Sequence, residues 1–228
     1  MVFRDRPVRR AIAWIETQYR IGPNGLPKPY VLAADARGDD LEITLTLFGM
    51  AVDWSATMSH TLACVVQHRI DWHDQDASVF VPKKSACQIN LRAEEGISVP
   101  PPRTHADIRF LTPMNAEHDN PLDRPATILA RLARRVEGLS RWQDVELDVD
   151  WASLADAWAR VEYDMAGLES HQVDRRSGRG ARTFEMPAII GTLGVGNLDR
   201  ALWPMLAIGQ RVHAGKGGSE GFGRFRLE

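Results

Sequence analysis

Cysteine is nearly absent, with Cys64 and Cys87 alone in 228 residues. Two thiols are too few for a disulfide framework, and they lack metal-ligand spacing, so a reducing compartment and two buried free thiols are expected. No apolar run reaches the roughly 18–20 residues that a membrane-spanning helix needs. The basic opening stretch MVFRDRPVRR is not followed by the apolar core of a secretory signal. A cytoplasmic protein with no membrane partner is therefore expected. A large charge of one sign is missing too: the net charge is −2, which by itself marks no nucleic-acid partner. What remains is ordinary for a globular protein, 44% hydrophobic and 25% charged. That is enough to bury a core in one large domain or two small ones.

The charge is unevenly placed. From His171 to Glu228 nine Lys/Arg stand against five Asp/Glu, in a chain whose total is negative. Such clustering suits a phosphate-binding face, and chance unevenness explains it equally well.

Periodicity sets the expected elements. Val8, Ile12 and Ile15 predict a short helix after Pro7, and the Gly/Pro-rich 22–29 predicts a turn. Leu41, Ile43, Leu45 and Leu47 alternate with polar residues, which predicts a strand over 41–49 with that apolar face buried. A helix is expected over 54–67, then weaker strands near 78–82 and 86–91. Three consecutive prolines in 96–105 exclude helix and central strand, and place a linker between two units, 1–100 and 103–228.

In the second unit a strand over 106–114, ended by Pro113, precedes a helix over 125–142 with Ile128, Leu132, Val136 and Leu139 on one face. Arg124, Arg131, Arg134, Arg135 and Arg141 are assigned to a different face. A helix over 151–161, strands over 162–173 and 183–195, a helix over 198–215 and a last strand over 222–228 complete it. Without the extra helix the order is β-α-β-β-α-β, an α+β ferredoxin-like arrangement, and the first unit reads as a partial version of the same thing.

Five glycines lie from Gly215 to Gly223, with Lys216 among them and Arg224 and Arg226 just beyond. A Walker loop needs Ser or Thr after the lysine and a helix after the loop; here Gly217 follows and the helix comes first. The stretch from Gly191 to Gly196, read as lying between strand and helix, lacks the dinucleotide spacing, so a nucleotide-binding enzyme is the weakest alternative. A loop lying against a sugar-phosphate backbone remains, with glycine for close approach and cations for neutralisation. The segment 174–182 adds Arg175, Arg176, Arg179 and Arg182 around Gly178 and Gly180; arginine forks match phosphates, although an isolated run of this kind is also what a solvated loop carries.

The terminal stretch PMLAIGQRVHAGKGGSEGFGRFRLE resembles the C-terminal glycine-rich signature of the repeat-associated (RAMP) superfamily, and more narrowly of CRISPR precursor-RNA processing endoribonucleases. KPYVL (28–32), LEITLTLFGMA (41–51), IRFLTPM (108–114) and AIIGTLGV (188–195) follow the same family in order. The resemblance implies tandem ferredoxin-like (RRM-like) domains that bind CRISPR repeat RNA (crRNA) and keep it after maturation. Other CRISPR effector subunits would be further partners. It also implies cleavage with neither metal nor cofactor: the ribose 2′-OH attacks the adjacent phosphate and leaves a 2′,3′-cyclic phosphate, which calls for an acid, a base and cationic support.

By that resemblance Gly215, Lys216, Gly217, Gly218, Gly221, Gly223 and Arg224 contact RNA, and Arg175, Arg176, Arg179 and Arg182 reach its stem. The family's first domain often carries a catalytic histidine near its start, whereas no histidine precedes His60 here; the chain is expected to begin near the middle of that domain. His213 and His171 are then the candidate acid and base, His213 being equally a helix-end cap. His60, His68, His73, His105 and His118 share no spacing, and the cluster at 68–74 is read as solvated rather than metal-binding. A non-catalytic crRNA-binding subunit is the rival reading.

Overall fold

The computed structural model describes residues 27–38, 40–67, 98–116, 122–143, 149–176 and 183–228. The expected helix within 1–20, the strands near 78–82 and 86–91, the cluster at 68–74, His118 and the segment 177–182 lie outside the described residues.

Two strands, β1 (Tyr30–Arg37) and β2 (Asp40–Leu47), form an antiparallel hairpin in register from Tyr30↔Leu47 to Arg37↔Asp40. The period of two gives the strand, but its apolar face is not the buried one: Leu41 is 46% and Ile43 39% exposed. Pairing decides this. Ala36 and Ala34 oppose Leu41 and Ile43, so the opposite face carries Val31, Ala33 and Asp35, and there Val31 and Ala33 are buried. A short 3-10 turn (Gly49–Trp54) leads into α1 (Ser55–Gln67).

Residues 98–105 have no regular structure, yet backbone and side-chain hydrogen bonds pin them to the second unit. Trp203 Nε1 donates to the carbonyl of Pro100 at 2.7 Å, and Leu198 N donates to the carbonyl of Thr104 at 2.9 Å.

The main sheet has strand order β4-β5-β3-β6 and is antiparallel throughout. β3 (Ala106–Asn115) buries Ala106, Ile108 and Phe110 in alternation. Pro113 does not end it: the strand passes through an irregularity between Phe110 and Met114 and resumes pairing, Met114 with Ile189. Proline lacks the N–H that a regular ladder needs, and an irregularity of this kind is where a sheet tolerates it.

α2 (Ala126–Ser140) comes next and turns Ile128, Leu132, Val136 and Leu139 inward. Arg135 is also buried there, which corrects its assignment to a face apart from that apolar stripe. α3 (Trp151–Ala159) starts at Asp150, whose carboxylate accepts from Ala152 N and Ser153 N and caps the first turn. The long strands β4 (Glu162–Arg176) and β5 (Thr183–Gly196) pair from Glu162↔Gly196 to Arg176↔Thr183. After a 3-10 turn capped by Asp199, α4 (Trp203–Val212) carries Pro204 in its first turn. The three-residue β6 (Phe225–Leu227) closes the sheet against β3.

The core lies between this sheet and its helices, with Ile108, Phe110, Leu132, Val136, Leu193, Leu206 and Phe225 all buried. Phe110 and Phe225 meet edge-on at 6.1 Å. A Cβ at Gly209 of α4 would lie 2.7 Å from both Leu132 and Phe225, so α4 packs closely on α2 and β6. Leu132, 1% exposed at this junction, tests the packing. Leu132→Ala should cost about 2–5 kcal/mol of stability and Leu132→Met less than about 1.5 kcal/mol, read from urea unfolding midpoints.

Candidate nucleic-acid interface

The terminal loop runs from the end of α4 to β6 and is tightly bonded. At its neck Ala214 N donates to Gly223 O at 2.7 Å, and Gly223 N donates to Pro113 O at 2.9 Å. Inside, Glu220 N and Phe222 N both donate to Gly217 O, enclosing a 3-10 turn over Gly218–Glu220. Thr112 holds the far side: its hydroxyl donates to Gly221 O at 2.7 Å and accepts from Arg224 N at 2.9 Å.

Two glycines show why the loop needs this composition. Gly223 has φ +68°, and a Cβ there would lie 1.9 Å from the carbonyl oxygen of Ala214. Gly218 sits on the Arg135 guanidinium, where a Cβ would come within 2.6 Å of Nη2. Gly215, Gly217 and Gly221 also have positive φ. The glycines are thus demanded by the backbone path, a reason that counting them in the sequence could not supply. Gly215 and Gly223 are buried, Gly217 and Gly221 half-buried, and Lys216 is exposed between Gly215 and Gly217.

Beneath the loop lie three basic side chains. Arg135 is 7% exposed; its Nε donates to Val212 O, the last carbonyl of α4, and its Nη2 has no partner among the described residues. Burial pulls its pKa down to about 10. His213 is 3% exposed and takes φ +63° at the end of α4. Burial first, then the Arg135 and Arg224 cations, lower its pKa to about 4 against an opposing hydrogen bond with the Phe222 backbone. Arg224 is half-buried, and its Nη1 lies 2.7 Å from both carboxylate oxygens of Asp35 on β1. The hairpin is therefore fastened to the loop by an ion pair, and β1 also packs against the Gly218–Glu220 turn.

The structure thus brings Gly215, Lys216, Gly217, Gly218, Gly221, Gly223, Arg224 and His213 into one loop. Arg175 and Arg176 are at the far end of β4, opposite Phe184 and Thr183; Arg179 and Arg182 lie outside the described residues. His171 is exposed on β4 opposite Ala188, which in turn opposes Asn115, so two strand spacings, roughly 10 Å, separate it from β3. Tyr163 is half-buried, its hydroxyl donates to Trp158 O at 3.3 Å, and burial raises its pKa to about 12.

The stretch from Gly191 to Gly196 lies inside β5, paired from Gly191↔Leu168 to Gly196↔Glu162. It is not a strand-to-helix loop, which corrects its placement and removes the basis of the nucleotide-binding alternative. Among the described residues no group of three or more His, Cys, Asp or Glu is set to hold a metal ion. Nor is any helix among them long and apolar enough to cross a membrane.

Arg135, Asp35 and Thr112 are the residues that sequence reasoning missed. Only Arg135 had a local signal: it falls seven residues after Ile128 and three after Leu132, on the apolar stripe of α2.

The segment from 108 to 225, which runs from within β3 to the first residue of β6 and holds the whole loop, matches the family model of the CRISPR-associated endoribonuclease Cas6. The match spans more than half of the chain, and the protein belongs to that family. Among solved structures it is similar to a Cas6 product complex at 18% identity and TM-score 0.58, over 97% of this chain and 90% of that one. A second Cas6 product complex has 16% identity and TM-score 0.58 over 96% and 88%. Thermus thermophilus Cas6 has 16% identity and TM-score 0.53 over 97% and 86%. These likenesses are of fold. No curated protein matches the sequence.

The buried imidazole makes stability depend on pH. With a folded pKa near 4 against 6.5 for the free side chain, the unfolded chain binds the proton more readily between those values. Stability therefore falls as pH drops from 6.5 toward 4, by an amount on the order of 3 kcal/mol. His213→Asn, neutral throughout, should show a shallower fall in Tm from pH 7 to 4.5; parallel curves for the two proteins would refute the burial argument.

Proposed function

We propose that this protein binds CRISPR repeat RNA with its terminal loop and cuts it without metal, leaving a 2′,3′-cyclic phosphate and retaining the mature crRNA. The observation that carries this is the loop itself. It lies inside the family-matched segment, is held in shape by its own hydrogen bonds, and presents Lys216 outward above the Arg135 and Arg224 cations. A loop ordered beforehand loses little conformational freedom when it meets an extended phosphate backbone. Two of the similar structures are product complexes, which supports RNA as the ligand.

The β4–β5 arm adds reach. β3 stops opposite Ala188, Ala116 N still donates to Pro187 O, and from Met186↔Val173 to Thr183↔Arg176 β5 pairs with β4 alone among the described residues. Arg175 and Arg176 end β4 in this arm, and with Arg179 and Arg182, which follow in sequence, they supply arginine forks suited to the phosphates of an RNA stem. The β-α-β-β-α-β order of 103–228 supports a ferredoxin-like domain, paired with a first one in 1–100 of which the β1–β2 hairpin and α1 are part. The protein would work in the cytoplasm, alongside other CRISPR effector subunits.

Of the two candidate histidines, His171 is exposed and accessible to RNA as acid or base. His213, buried and neutral, suits support of the loop better than proton transfer. That same burial favours a second reading, in which the chain is a non-catalytic crRNA-binding subunit.

Incubating the protein with end-labelled repeat RNA in EDTA separates the readings. A discrete cut ending in a cyclic phosphate is expected; tight binding with intact RNA would favour the subunit. Lys216→Ala should weaken RNA binding about tenfold and reduce the salt dependence by roughly one phosphate contact. Unchanged affinity in Lys216→Ala and in Gly217→Leu alike would remove the loop from the interface.

A further inference from the structure

α2 holds a cation where a hydrocarbon would pack at lower cost. Arg135 shares the stripe of Ile128 and Leu132, is 7% exposed and has no carboxylate partner among the described residues. Taking a guanidinium out of water without a counter-ion is costly, and a Met or Leu would fill the same volume without that penalty. Its contacts show what it does there. Nε binds the carbonyl of Val212, where α4 ends and the loop begins, and the other end of the fork lies under Gly218, where the 3-10 turn begins. Lys216 lies between these two points. One planar group therefore touches the loop on both sides of its exposed lysine, while Gly218 leaves no room for a side chain between guanidinium and backbone.

We propose that Arg135 is a positioning residue for RNA binding: without touching RNA, it fixes the segment Val212–Gly218 in the shape that directs Lys216 at a phosphate. The inference rests on the RNA-binding reading of the loop. Lysine at this position would keep the positive charge but not the planar fork, so Arg135→Lys separates shape from charge.

The test is repeat-RNA affinity, measured as a function of salt, for Arg135→Lys, Lys216→Ala and the double variant, with folding checked by Tm. Arg135→Lys is expected to weaken binding about tenfold. It should also lower the salt slope as Lys216→Ala does, and the double variant should bind no worse than the weaker single one, because both changes remove the same contact.

Wild-type affinity in Arg135→Lys, or losses that multiply in the double variant with an unchanged slope for Arg135→Lys, would overturn the positioning role. If Lys216→Ala itself binds like wild type, the loop reading fails instead, and the two failures are thereby told apart. Should Arg135→Lys not fold, Gly218→Ala decides. It pushes on the guanidinium from the loop side and should reproduce the affinity loss and the reduced slope; wild-type binding there would equally overturn the proposal.

Discussion

A three-residue irregularity in β3 is the socket on which the terminal loop depends. Between Phe110 and Met114 the ladder with β5 is interrupted, which frees backbone groups that a regular strand would commit to its neighbour. Leu111 N and Thr112 N turn to Arg224 O, Pro113 O accepts from Gly223 N, and the Thr112 hydroxyl bridges Gly221 and Arg224. Proline, with no N–H to satisfy, can occupy this bend without leaving a donor orphaned. The loop is thus clasped by strand backbone rather than left to its own flexibility, and its glycines are what allow so close an approach.

The second organising feature is electrostatic. Arg135 and Arg224 lie beneath the loop and His213 lies between their fields, which keeps the imidazole neutral. Arg224 is balanced by Asp35, 189 residues away in sequence, so the hairpin and the loop hold each other in place. Arg135 has no such carboxylate among the described residues, and its charge stays uncompensated under a surface that carries Lys216. In a partly desolvated setting such charges are screened less than on the open surface, which is an environment suited to a polyanion.

Much of the fold is legible in the sequence because it is written in short-range period. The 3.6-residue stripe of α2, the alternation of β3 and the two long strands of the β4–β5 hairpin all lie where the pattern of apolar residues puts them. The bend at Pro113 escapes such reading because a proline signals that the ladder breaks, not whether the strand resumes afterwards. The glycine loop stands out as the candidate site from its composition and its setting before the last strand. Its order is not visible there, since glycine signals permitted conformations and not the hydrogen bonds that select one.

Among the described residues the sequence by itself determined the elements and their order, and it determined the basic bias of the last quarter and the family signature at the terminus, because each rests on neighbours in the chain. Tertiary structure alone decided which face of the β1–β2 hairpin is buried and that Arg224 meets Asp35. It also decided that His213 is held neutral. The physical reason is common to all three: burial and charge pairing depend on groups brought together from distant segments, and no local pattern encodes the partner.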